Sequence, residues 1–157
     1  MKRIGLLLLI LVWTSAAGRA QSAATSSTTP TFDASTFMQG VKTAIGKHLG
    51  RPYVWGSSGM KSFDCSGFIW RLMYENGLLM KRTTARKFYM MFPPASKEEQ
   101  WNFGTIVFFD NLKHVGIIDT PDAFYHAQVS IGTNRSPMNS FWKRKIYGFR
   151  RLPIPTN

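Results

Sequence analysis

Apolar residues first recur at helical spacing at Phe37, Val41, Ile45 and Leu49, which predicts an amphipathic helix over Ala34 to His48 that ends before Gly50. The stretch Arg51-Pro52-Tyr53-Val54-Trp55-Gly56 is read as extended, because Pro52 disfavours the helical region at Arg51. Ser57-Ser58-Gly59 makes a turn. Downstream of Cys65, the apolar positions Phe68, Ile69, Leu72 and Met73 share one helical face with it. Asn76-Gly77 closes that helix, with Gly77 as a left-handed cap. Thr83 to Met91 reads as a further short helix stopped by Pro93-Pro94. Three strand-like runs follow: Thr105 to Phe109, His114 to Asp119 and Phe124 to Val129. The turns Asp110-Asn111-Leu112-Lys113 and Thr120-Pro121-Asp122 between them predict an antiparallel meander, and Ile146 to Leu152 adds a last strand. Helices first and strands afterwards define an α+β domain, with the Cys65 helix packed on an antiparallel β-sheet.

The amino-terminal pattern is different. Met1-Lys2-Arg3 is followed by an apolar run from Ile4 to Trp13 and then by small and polar residues, the layout of a secretory signal peptide. Cleavage is expected after Ala17 or Ala20, with Ala20 preferred. The apolar run is about half the ~20 residues that a membrane-spanning helix needs. No cysteine lies near the cleavage site, which excludes a lipid-anchored lipoprotein. Residues 21–33 are Ser/Thr/Ala-rich and read as a linker, leaving 34–153 as one domain with a proper core. The expected location is periplasmic or secreted.

Charge adds a partner class. Without Lys2, Arg3 and Arg19 the 20 basic residues fall to 17 against 8 acidic, a net +9. Outside the cytoplasm such a balance favours anionic wall or envelope surfaces. The basic residues are spread out, so solvated faces are the plainer reading. No nucleic-acid-binding motif is present. One cysteine and three scattered histidines lack zinc spacing, so neither a metal nor a cofactor is expected. A monomer is the expectation.

The single cysteine has no internal disulfide partner. Cys65 stands at a helix start, where partial positive charge and free N–H groups favour thiolate over thiol. Strand alternation places His114, Gly116 and Ile118 on one face, and His126 shares a face with Phe124 on the next strand. Gly116 leaves room beside His114 for a helix end. An activated cysteine needs a base, and the base needs a third polar group to hold its ring. Cys65, His114 and His126 supply these three types, yet on spacing alone a buried core thiol and buried or solvated histidines are the more ordinary reading.

The surrounding words narrow the choice. Pro52-Tyr53-Val54-Trp55-Gly56, Phe63-Asp64-Cys65-Ser66-Gly67-Phe68, Arg82-Thr83-Thr84, Val107-Phe108-Phe109, His114-Val115-Gly116-Ile117 and Tyr125-His126-Ala127 occur in this order. The set resembles the NlpC-like family of cell-wall cysteine peptidases, which have a papain-like fold, over roughly Lys42 to Arg151. The resemblance implies Cys65 as nucleophile, His114 as base and His126 as the third polar residue, a position held by His, Asn or Gln in that family. It matches Tyr53, Asp64 and Ser66 to positions that bind the amino end of a peptidoglycan stem peptide. The bond cut in relatives joins D-γ-glutamate to a diamino acid. The chemistry it implies is a Cys65 thiolate paired with a charged His114, the backbone N–H of Cys65 and the Tyr53 hydroxyl facing the oxyanion.

Two words depart from that pattern. Phe103-Gly104-Thr105-Ile106 stands where relatives have Pro-Gly-Asp-Leu, and Gly56-Ser57 replaces Gly-Gly. Both are expected to alter turns beside the cleft and so substrate preference. Plain roles stay open: Asp64 as an N-cap, Ser66 likewise, Tyr53 and Trp55 as core aromatics (Trp55 above all), and His48 as a charge at a helix C-terminus. So do two rival functions, a catalytically silent wall-binding protein and an amidase or acyltransferase toxin using the same Cys/His site.

Overall fold

A computed structural model describes residues 33–154. The expected signal peptide, and the expected linker apart from Asp33, lie outside the described residues. Helix α1 (Ala34–His48) begins at Asp33, whose carboxylate accepts from the N–H groups of Ser35 and Thr36. It buries Phe37, Val41 and Ile45 as expected, together with Ala44, whereas Leu49 lies past the helix end in extended backbone and is exposed. Helix α2 (Cys65–Glu75) buries Phe68, Ile69, Leu72 and Met73 and ends at Asn76, followed by Gly77 at φ 82°. The short α3 (Ala85–Met91) starts two residues later than the pattern predicts, because Thr84 is its N-cap and accepts from Lys87 N at 3.4 Å.

The strands are β1 (Ile106–Phe109), β2 (His114–Thr120), β3 (Ala123–Gln128), β4 (Gly132–Pro137) and β5 (Ile146–Arg150), with a four-residue helix α4 (Ser140–Lys143) before β5. They form one antiparallel sheet in the order β4-β3-β2-β1-β5. The meander is therefore extended by one strand at each edge. Strand β4 has no apolar alternation to announce it. Its anchor is polar: Thr133 Oγ1 donates to the His48 carbonyl and accepts from Arg51 N at 2.8 Å, clipping the sheet edge to the end of α1.

Each sheet face carries its own apolar cluster. Ile106, Phe108, Val115, Ile117 and Ala127 pack with the buried faces of α1 and α2. Val107, Phe109, Ile118, Phe124 and Met138 form the opposite cluster, closed by Trp142 of α4. Burial of these aromatic side chains supplies the packing that a chain without a disulfide depends on, at about 1.5–3 kcal/mol for each large side chain removed from water.

Gly67, one turn into α2, is fixed by a close approach. A Cβ there would lie 2.0 Å from the carbonyl oxygen of Ser57, which already accepts from Asp64 N at 2.9 Å. Gly67→Ala must push the 57–62 turn off the helix start. It is expected to cost about 1–3 kcal/mol, read as a lower urea midpoint at unchanged m-value.

Candidate active site

Cys65 is the first residue of α2 and is buried, with its thiol against the start of β2. Its Sγ lies 4.0 Å from the Lys113 carbonyl oxygen, and the Val115 N–H points at it, so the sulfur is held by the backbone on either side of His114. The sulfur reaches no hydrogen bond with the His114 ring. Nucleophile–base hydrogen bonds are often long or poorly aligned before substrate arrives.

The two histidines meet directly. His114 Nε2 and His126 Nδ1 are 2.7 Å apart, with the rings nearly perpendicular at 81°. Register explains this. Gly116 lies opposite His126 and Ile118 opposite Phe124, so His126 leans across the glycine to reach His114 diagonally. The space at Gly116 is not filled by a helix end, as expected from sequence, but by Phe124: a Cβ would stand 2.7 Å from its ring.

Trp142 completes the enclosure and was invisible to pattern reasoning. It stacks on the His114 ring at 5.6 Å between centroids and meets His126 edge-on at 5.0 Å. Its only sequence cue is Asn139, the N-cap that starts α4 and accepts from Trp142 N at 3.2 Å.

The electrostatics differ from the expected ion pair. Burial, with the Asp64 carboxylate adding, pushes the Cys65 thiol up to about 11, against the opposing N–H groups of Val115 and Ser66 and the Arg82 charge. Burial also lowers His114 to about 4 and, with the neighbouring His114 adding, His126 to about 3. The resting site is thus thiol and neutral imidazole, because desolvation outweighs the helix start. Both histidines are depressed below their unfolded value of ~6.5. The stability they contribute is present above that value and is lost as pH falls towards 4 and 3. Trp142→Ala is expected to admit water to His114 and raise its pKa towards the ordinary value. In an assay of kcat/KM against pH, the acid limb should move up from near 4; an unmoved limb would refute the shielding role.

Asp64 is the N-cap of α2 and is fully engaged. Oδ1 accepts from Gly67 N at 2.6 Å and from the Ser66 hydroxyl at 3.0 Å, while Oδ2 accepts from Gly56 N at 2.8 Å and from Arg82 Nη2. Capping is therefore what the structure shows for Asp64, and Ser66 serves it through its hydroxyl. Arg82, to which the sequence alone assigns no role, binds both the carboxylate and the Thr83 carbonyl. Tyr53 lines a neighbouring pocket with His114 and Trp142, and burial raises its pKa above the ordinary value.

Trp55 is not a core residue. It is 85% exposed and stands at the lip of a ~680 Å³ cleft lined by Gly56, Cys65, Arg82, Arg86 and Lys113. His48 is wholly buried, pairs with Glu75 at 2.9 Å and so ties α1 to α2, with its ring edge-on to Phe63; it does not line the cleft. Of the two departing words, Gly56-Ser57 borders the cleft. The 103–105 turn does not: a Cβ on Gly104 would lie 1.8 Å from the Met38 side chain of α1. Among the described residues no cluster of His, Cys, Asp or Glu could hold a metal ion, and no helix is long and apolar enough to cross a membrane.

A helix start bearing a thiol, set against a sheet that carries a histidine pair, defines a papain-like α+β domain. A family model described as NlpC/P60 family matches residues 50–151, and the chain belongs to that family. The chain is 35% identical over 109 residues to the probable peptidoglycan endopeptidase LytE of Bacillus subtilis (strain 168), covering 66% of this chain and 31% of that protein. It is 30% identical over 126 residues to the probable endopeptidase NlpC of Escherichia coli (strain K12), covering 76% and 81%. A crystal structure of a "similar to lipoprotein" NLP/P60 family protein from Staphylococcus aureus subsp. aureus Mu50 superposes with a TM-score of 0.67 at 29% identity, over 83% of this chain and 45% of that one. The chain spans between a fifth and a third of the length of the curated Listeria seeligeri and Bacillus relatives it matches.

Proposed function

We propose that this protein is a peptidoglycan hydrolase, a cysteine endopeptidase that cuts stem peptides between D-γ-glutamate and the diamino acid. The reading rests on one observation above all: the 2.7 Å bond between His114 and His126 beside the helix start that carries the thiol. The name of the Bacillus subtilis relative, a probable peptidoglycan endopeptidase, supports the substrate class.

In this reading His114 has one nitrogen committed to His126 and turns Nδ1 to the thiol. As substrate enters, Cys65 Sγ attacks the amide carbon while its proton passes to His114 Nδ1. That coupling is needed because neither the thiolate nor the imidazolium is stable in the resting site. The oxyanion is met by the Cys65 N–H and the Tyr53 hydroxyl, each such donor being worth ~3 kcal/mol. His114 then gives its proton to the leaving amine. Water, deprotonated by the same ring, hydrolyses the thioester and restores the thiol. Among the described residues Lys113 has no ion pair and the Arg86 guanidinium donates only to the Asn111 carbonyl. This cationic rim suits the carboxylates of a stem peptide, with Asp64 and Ser66 acting through Arg82 and the helix start. The expected signal peptide and the +9 charge of the chain without it support action outside the cytoplasm, at the wall. The test is release of soluble fragments from purified sacculi under reducing conditions by the wild-type protein and not by Cys65→Ala; no release by the wild type would overturn the reading.

A further inference from the structure

The hydrogen-bond chain does not stop at the second histidine. His126 is wholly buried, and its Nε2 lies 2.9 Å from the hydroxyl of Ser136, itself buried at 8% exposure. Ser136 Oγ donates to Asn134 Oδ1 at 2.8 Å, and Asn134 Nδ2 donates to the Gly132 carbonyl at 2.8 Å. All three partners sit on β4, where register sets Asn134 opposite His126 and Ser136 opposite Phe124.

We infer that Ser136 and Asn134 are positioning residues that set the direction of the whole chain and so leave His114 Nδ1 unprotonated on the thiol side. The direction follows from the far end. A carbonyl oxygen can only accept, so the amide must turn its NH2 to Gly132 and its oxygen to Ser136. Ser136 must then spend its one proton on Asn134 and accept from His126 Nε2–H. That leaves His126 Nδ1 bare, and a bare Nδ1 at 2.7 Å requires a proton on His114 Nε2. His114 Nδ1 is left as the free acceptor.

Reversing any link sets two acceptors or two donors face to face at under 3 Å in a buried site. Reversal would also place the His114 proton on Nδ1, where the ring could not take one from Cys65. Because both histidines are neutral at pH 7, with pKa values depressed by burial, tautomer rather than charge decides whether the base is usable. The catalytic consequence rests on the peptidase reading above; the tautomer assignment does not.

The experiment is nitrogen-15 NMR of the imidazoles in the purified protein near pH 7, with turnover measured alongside on sacculi. Wild type is expected to carry the proton on Nε2 of both His114 and His126. Ser136→Ala should give a mixture of tautomers at His126 and lower kcat on the order of 10- to 100-fold at unchanged KM, the range seen when an outer partner that orients a metal-bound histidine is removed. Ser136→Thr keeps the hydroxyl and should restore both readings. A wild-type spectrum with either proton on Nδ1 overturns the inference and needs no variant. So does a Ser136→Ala protein with unchanged tautomers and kcat. Nε2 protons at both rings in a protein that leaves sacculi intact would uphold the relay and overturn the peptidase reading.

Discussion

Cys65→Ala is expected to lower kcat on sacculi by on the order of 10⁴- to 10⁶-fold, the scale for removing a nucleophile from a concerted site. Stability should change little, because a small side chain is lost at the edge of a core that stays intact. Cys65→Ser should be almost as inactive. The neutral His114, lowered to about 4, is too weak a base to draw a proton from an alcohol. The same site predicts how the free thiol reacts. With Cys65 pushed up to about 11, alkylation by iodoacetamide should stay slow at neutral pH and rise only on the alkaline side. A rate already at plateau near pH 5 would mean a resting thiolate–imidazolium pair and would contradict the desolvated site described here.

Asp64→Ala should have the largest effect on stability. One carboxylate holds the start of α2, the Gly56 turn, the Ser66 hydroxyl and Arg82, and its side chain is only 9% exposed. Removal leaves the Arg82 guanidinium without its counter-charge and three donors without an acceptor. Breaking one partner of a buried pair costs about 3–5 kcal/mol. Asp64→Asn keeps an N-cap acceptor and should cost about 1–2 kcal/mol through the weakened Arg82 contact. Denaturant unfolding checks both values, and equal losses for the two variants would assign the effect to the Arg82 charge pair alone. Because the pair is shielded, added salt should rescue little of the deficit.

The parts of this arrangement that could be read from the chain are those written in apolar spacing. The faces of α1 and α2 and the Gly77 cap follow from residues that the core selects directly, and the two histidine strands follow from alternation. Strand β4 could not be read that way. Gly132-Thr133-Asn134-Arg135-Ser136-Pro137 is polar because it is an edge strand held by Thr133 and by pairing with β3, neither of which leaves an apolar period. With β4 went Ser136 and Asn134, ordinary polar residues until register sets them beside His126. Trp55 was misplaced for a related reason: an aromatic residue in an extended segment signals burial by composition, yet the turn at Gly56, with φ 75°, turns its indole to the cleft lip. The ion pair was expected because a helix start is visible in sequence, while the burial that opposes it comes from Phe109, Trp142 and the strands around them.

Mass spectrometry of digested sacculi reads directly whether this site hydrolyses the proposed bond of the stem peptide. Purified sacculi should be incubated with the wild-type protein and with Cys65→Ala, and the released fragments sequenced. The account predicts fragments ending in D-γ-glutamate together with fragments bearing a new amino terminus on the diamino acid, both missing from the Cys65→Ala digest. Fragment profiles identical in the two digests, with every stem peptide intact at that bond, would contradict it.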